Sequence, residues 1–178
     1  MKMKLATAVT ALCAALSMPA AFAADGQIDF VGEIKGNTCK INGGQPNFQV
    51  DLPAVSRTAL ATVGQSAGRT RFDLQLTECM PDTGKVATYF EAGPTISPTS
   101  GRLVTDTGAG QADFVEVALL NDGFQQMELN QAFPGQKSQA VDIVAGNANL
   151  EYYAEYVATG VVTAGEVNTR VMYSLVYP

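Results

Sequence analysis

The chain has 178 residues, with 11 basic against 17 acidic side chains, a net charge of −6 and no histidine. The missing imidazole excludes Ser-His-Asp and Cys-His catalysis and removes the commonest metal ligand. The acidic balance argues against nucleic acid and anionic membrane surfaces as partners, while a 47% hydrophobic content suffices for one sizeable core.

Lys2 and Lys4 precede an apolar run from Leu5 through Leu16, and Ala21-Phe22-Ala23 places small residues where a signal peptidase reads. This is the three-part pattern of a secretory signal, and the run is too short to span a bilayer. Cleavage is expected after Ala23, which takes residues 1–23 out of the fold and leaves a mature chain of about 155 residues with no second apolar run of membrane-spanning length. Without Lys2 and Lys4 that chain carries nine basic residues against seventeen acidic ones. Cys13 leaves with the signal. Cys39 and Cys79 remain as an even pair in an oxidising compartment, so a disulfide is expected between them. A two-cysteine metal site is disfavoured, because the chain has neither histidine nor a CxxC spacing.

Along the mature chain apolar residues alternate with period two. Ile28, Phe30, Gly32 and Ile34 form the first such run, and Phe72, Leu74 and Leu76 the second, just before Cys79. Val115, Val117 and Leu119 follow, then Tyr152, Ala154 and Tyr156. The C-terminal run, with Val171, Tyr173, Leu175 and Tyr177 on one face, reads as the longest. Period two in β-branched and aromatic residues marks half-buried strands. Turn clusters separate the runs: Asn42-Gly43-Gly44, Pro81-Asp82-Thr83-Gly84, Ser97-Pro98-Thr99-Ser100-Gly101, Asn121-Asp122-Gly123 and Pro134-Gly135. A single helical turn is expected near Ser56 to Thr62, with Ser56 as its cap. The pattern predicts one all-β domain, an antiparallel sandwich or barrel.

Candidate chemistry is thin. Asp113 with Glu116, or Glu151 with Glu155, would have to form a defined acid/base pair, and scattered strand carboxylates are more often solvated. Thr107-Gly108-Ala109-Gly110 lacks the following Lys-Ser/Thr of a phosphate loop and reads as a turn. Tyr152, Tyr153 and Tyr156 suggest a sugar platform, but Tyr152 and Tyr153 must point to opposite faces of a strand, which favours core packing. No catalytic residue, metal ligand or cofactor is expected.

Several segments together resemble the major pilins of chaperone–usher fimbriae of the type 1 kind. Phe30-Val31-Gly32-Glu33-Ile34 followed by Cys39 is similar to that family's N-terminal extension and first cysteine. Phe72-Asp73-Leu74-Gln75-Leu76-Thr77-Glu78-Cys79 is similar to the strand holding the second cysteine. Tyr153 through Gly160, with Thr163-Ala164-Gly165-Glu166-Val167, resembles the penultimate strand and turn. Gly165 is fourteenth from the end and Tyr177 penultimate, as in the family's C-terminal pattern.

The resemblance implies an immunoglobulin-like sandwich that is incomplete in itself and is completed by a donor strand from a neighbouring subunit. Residues 24–35 would be the donor extension, with Gly26, Ile28, Phe30, Gly32 and Ile34 on the donor face, and residues 36–178 the sandwich. Val171, Tyr173, Leu175 and Tyr177 would line the acceptor groove and meet a periplasmic chaperone, with Gly165 in the turn before them. Implied partners are neighbouring pilins, that chaperone and an outer-membrane usher, and the implied destination is a fimbrium on the cell surface. The residues by themselves leave two alternatives open: that 26–34 is the chain's own first strand, and that the chain is a monomeric secreted sugar-binding sandwich. Within the family the alternative is a minor or adaptor subunit.

Overall fold

Strand-forming runs account for nearly all the regular structure in the computed structural model, which describes residues 29–31, 36 and 38–178. The expected signal segment lies outside the described residues, as do Gly26, Ile28, Gly32 and Ile34 of the expected donor face. Of the segment Met1–Ile34, Asp29–Val31 are described; none of the three is in a strand, and Phe30 and Val31 are exposed.

The described residues of the unit Lys35–Pro178 form eight strands. They are β1 (Thr38–Ile41), β2 (Ser66–Met80), β3 (Gly84–Phe90), β4 (Leu103–Val104), β5 (Val115–Leu120), β6 (Ala140–Ile143), β7 (Ala148–Ala158) and β8 (Tyr173–Val176). They form a five-stranded sheet in the order β1-β2-β7-β5-β4 and a three-stranded sheet in the order β6-β3-β8. Every ladder between them is antiparallel. Helical structure among the described residues is limited to two 3-10 turns, Asn42–Gly44 and Arg57–Leu60. The second is the turn expected near Ser56, whose Oγ accepts from the Thr58 N–H at 3.3 Å. No helix among the described residues is long and apolar enough to cross a membrane.

The alternating runs behave as their period demands. Leu74 and Leu76 of β2, Leu150 and Tyr152 of β7, and Val117 and Leu119 of β5 are buried on one face of the larger sheet. Val86, Phe90 and Ile143 meet them from the smaller sheet. Each fully buried apolar side chain of this size contributes about 1.5–3 kcal/mol. Tyr152 sits at the centre, with ring centroids 5.6 Å from Phe72 and 5.5 Å from Phe90, and its hydroxyl lies 2.8 Å from the Ser138 Oγ. Burial raises its pKa above the ordinary phenol value, so it stays a neutral hydrogen-bonding group.

Two details required the structure. The C-terminal run is not the longest strand: β8 spans 4 residues and β2 spans 15. The residues before β8 change bonding partner at each step, so no single ladder forms. In β2 the register against β7 shifts between Ala67 and Thr70. Gly68 sits there at φ +73°, and a Cβ on it would come within 3.0 Å of the Tyr156 ring, so glycine is needed for the bulge.

The Cys39–Cys79 disulfide expected from the cysteine count is present and ties β1 to the end of β2. Replacing either cysteine by serine is expected to cost about 2–5 kcal/mol of stability. Urea denaturation of the variant, compared with the reduced and oxidised parent, measures it. Gln136 is fully buried, and its side chain holds two carbonyls and an N–H together. The Phe90 N–H donates to its Oε1 at 2.9 Å, and its Nε2 donates to the carbonyls of Phe90 at 2.7 Å and Leu129 at 3.1 Å. Gln136→Ala leaves these groups unpaired and is expected to destabilise by about 2–4 kcal/mol, read from the same denaturation curves.

Candidate functional site

The feature with the most open chemistry is backbone rather than side chain. In extended chain the N–H and C=O groups of successive residues point to opposite sides. Between Glu166 and Met172 every even-numbered carbonyl is already taken. Glu166 accepts from the Ala112 N–H at 2.9 Å, Asn168 from the Asp106 N–H at 2.8 Å, Arg170 from the Thr95 hydroxyl at 2.7 Å and Met172 from the Glu91 N–H at 2.8 Å. The backbone groups of Val167, Thr169 and Val171 face the other way and have no backbone partner among the described residues. On the far side of the gap, residues 46–55 likewise make no backbone-to-backbone hydrogen bond with a described residue.

Between these two walls lies a cleft with an apolar floor. Its larger part, about 840 Å³, is floored by Phe72, Leu74, Phe90, Leu103, Val117, Leu119 and Tyr156. A second part of about 760 Å³ continues it past Leu60, Val115 and Val162, and Leu52, Tyr156, Val167 and Asn168 border both. The floor is therefore the core itself, reached between its two sheets. Tyr173 bridges the walls at one end, its hydroxyl donating to the Pro46 carbonyl at 2.7 Å. Burial raises the pKa of Tyr156, Tyr173 and Tyr177, so all three remain neutral here.

The residues expected to line the groove divide along it. Val171, Tyr173, Leu175 and Tyr177 are all half-buried and pack on the core from one face. Val171 and Tyr173 line the larger cavity, whereas Leu175 and Tyr177 lie beyond it, where the Tyr177 hydroxyl approaches the Cys39 Sγ at 3.6 Å. Gly165 borders the second cavity. Sequence reading did not find the opposite wall, residues 46–55. Val50, Leu52 and Val55 are half-buried at uneven spacing there and give no clean period.

Three of the four carboxylates singled out as conceivable catalytic pairs are engaged in ion pairs. Glu155 meets Arg69 at 2.8 Å, Glu151 meets Arg71 at 2.8 Å and accepts from the Tyr153 hydroxyl, and Glu116 lies 3.5 Å from Arg102. Tyr152 and Tyr156 face the core and Tyr153 faces the other side of β7, so the three do not form one platform. No cluster of three or more His, Cys, Asp or Glu suited to a metal ion occurs among the described residues.

Gly165 is fixed by close approach. A Cβ there would lie 2.4 Å from the Ala112 nitrogen and 2.4 Å from the Gln111 carbonyl carbon. Gly165→Ala must push this segment off residues 110–112, straining the bonds from Ala112 N–H to Glu166 O and from Glu166 N–H to Gly110 O. A loss of about 2 kcal/mol is expected, read as a lowered melting temperature, with the cleft wall displaced.

Residues 52–178 match the family model for the type-1 fimbrial protein, A. The chain is 43% identical over 163 residues to the major fimbrial subunit SMF-1 of Stenotrophomonas maltophilia (strain K279a), covering 89% of this chain and 95% of that one. It is 37% identical over 174 residues to the F17 fimbrial protein of Escherichia coli, covering 95% and 96%. Its fold matches a chain from a solved chaperone–usher pilus, in a study of rod uncoiling, with a TM-score of 0.60 at 20% identity, over 90% of this chain and 100% of that one. The sandwich is thus of the immunoglobulin-like, pilin kind, and the chain belongs to the type-1 fimbrial protein family.

Proposed function

We propose that this chain is a shaft-forming structural subunit of a chaperone–usher fimbria, and that it polymerises by donor-strand exchange. The observation that carries the reading is the cleft just described, where a row of open backbone groups at Val167, Thr169 and Val171 runs over an apolar floor. An extended segment can join such an edge through main-chain bonds while its alternate side chains fill the pockets. The alternating segment Gly26, Ile28, Phe30, Gly32 and Ile34 has the matching form. Two Ile and one Phe entering the floor contribute roughly 1.5–3 kcal/mol each before ordering costs. The edge would be an aggregation hazard if left uncovered.

In this reading residues 1–23 direct export, 24–35 are the donor extension and 36–178 the acceptor sandwich. A periplasmic chaperone covers the edge first, and at an outer-membrane usher the donor extension of the next subunit replaces it. Val171, Tyr173, Leu175 and Tyr177 form the face that chaperone and donor both meet. The fibre on the cell surface is the product, and the subunit's task is structural rather than catalytic. Two relatives support the shaft role, one named a major fimbrial subunit and the other a fimbrial protein.

Deleting Ala24 to Gly32 leaves the core strands and the disulfide untouched but removes the donor, so the variant is expected to join fibres poorly or cap them. Electron microscopy and boiling-resistant ladders on gels measure this. A peptide spanning Asp25 to Ile34 is expected to raise the melting temperature of the deletion variant, since a ligand that binds the folded state stabilises it by mass action. The Phe30→Asp peptide is expected to fail, because it drives an unpaired carboxylate into an apolar pocket. Normal fibres from the deletion variant alone would rule the mechanism out.

A further inference from the structure

The inward residues of a donor strand explain its affinity but say little about which donor is accepted, since many alternating segments would fill an apolar cleft. Its outward residues lie beside the outward residues of the cleft wall. On that wall Glu166, Asn168, Arg170 and Met172 are exposed, alternating with half-buried Val167, Thr169 and Val171. The Arg170 side chain is 77% exposed, with the carboxylate of Asp106 at 3.7 Å. If Ile28, Phe30, Gly32 and Ile34 point inward, then Asp25, Asp29, Glu33 and Lys35 point outward.

We infer that Arg170, with Glu166, reads the outward charges Asp29, Glu33 and Lys35 of a second copy of this chain, so that charge order favours such a copy as the partner. The inference rests on the donor-strand reading above. Asp25, Asp29 and Glu33 recur at every fourth residue. Whichever odd residue from 25 to 33 stands opposite Arg170, an acid is therefore directly opposite or one diagonal step away, within the range over which cross-strand pairs interact. Run antiparallel to the wall, a register with Glu33 opposite Asn168 places Lys35 opposite Glu166 and sets Asp29 and Glu33 diagonally about Arg170. Shifting by two residues places Glu33 opposite Arg170 and Lys35 diagonal to Glu166. A shift by two the other way sets Glu33 against Glu166, a like-charge pair, while placing Asp29 directly opposite Arg170, so the two contributions offset. On the opposite wall the acid Asp51 accepts from the Gln49 side chain at 2.5 Å, which engages part of its charge within its own segment.

The test uses the full mature chain and follows fibre growth by light scattering at low and high salt. Arg170→Glu is expected to slow growth about threefold to tenfold at low salt, and Arg170→Gln by less, as for exposed pairs and charge-steered encounters. Asp29→Lys with Glu33→Lys is expected to slow growth similarly, and combining these with Arg170→Glu to recover most of the loss. The differences are expected to fade near 1 M salt, where the Debye length is about 3 Å. Unchanged melting temperatures for the Arg170 variants separate assembly from folding. Growth of Arg170→Glu at the parent rate, or a combined variant no faster than either component, would overturn the inference. Phe30→Asp in the same assay separates the two readings. If it assembles normally, the donor-strand reading itself fails; if it is arrested while Arg170→Glu is not, the charge reading alone fails.

Discussion

The arrangement depends on one division of labour along the chain between Glu166 and Met172. Its even residues spend their carbonyls on Glu91, Thr95, Asp106 and Ala112, which pins the segment to the rest of the sandwich. Its odd residues turn their side chains to the core and their backbone groups to the cleft. A strand bonded on one side only is the definition of an edge, and here the edge lies above the hydrophobic core rather than out on a rim. Burying unpaired backbone groups costs free energy comparable to a lost hydrogen bond, so this edge calls for a complementary strand. The apolar floor and the open ladder are two consequences of the same missing strand.

Holding such a cleft open is a mechanical problem, because an uncovered core tends to collapse. Several fixed points oppose collapse. Gly165 lets the chain pass within contact of residues 111–112 at one end. Tyr173 spans to Pro46 at the other, and Tyr177 reaches the disulfide sulfur beyond it. Gln136 ties Phe90, on the floor of the cleft, to Leu129. These are polar or covalent restraints set around an apolar space, so the width of the cleft is held by directional bonds rather than by packing across it.

Much of this was legible in the residues. The runs at 72–76, 115–119 and 152–156 lie within observed strands, where their alternating apolar residues pack on the core. The disulfide and the turn capped by Ser56 followed from cysteine arithmetic and capping chemistry. β3 was not legible, since Val86, Ala87 and Thr88 are consecutive and all buried, which erases alternation. β4 and β6, with two and four residues, are too short to carry a period. The face of Val171, Tyr173, Leu175 and Tyr177 was singled out only through resemblance, and the wall across the cleft from it not at all. Residues 46–55 owe their role to lying across a gap from Val167 to Val171, a relation over more than a hundred residues of chain that no local pattern encodes.

The position of the disulfide also sets how the molecule bears tension. β1 is an edge strand of four residues, and by itself it would peel away from β2 one hydrogen bond at a time under a pull on the chain before it. Cys39 lies within β1 and is bonded to Cys79 at the end of β2. A pull arriving from the N-terminal side is therefore carried through a covalent bond into β2, whose long pairing with β7 lies inside the sheet. That short edge strand is bypassed, and the load passes into the longest ladder in the fold.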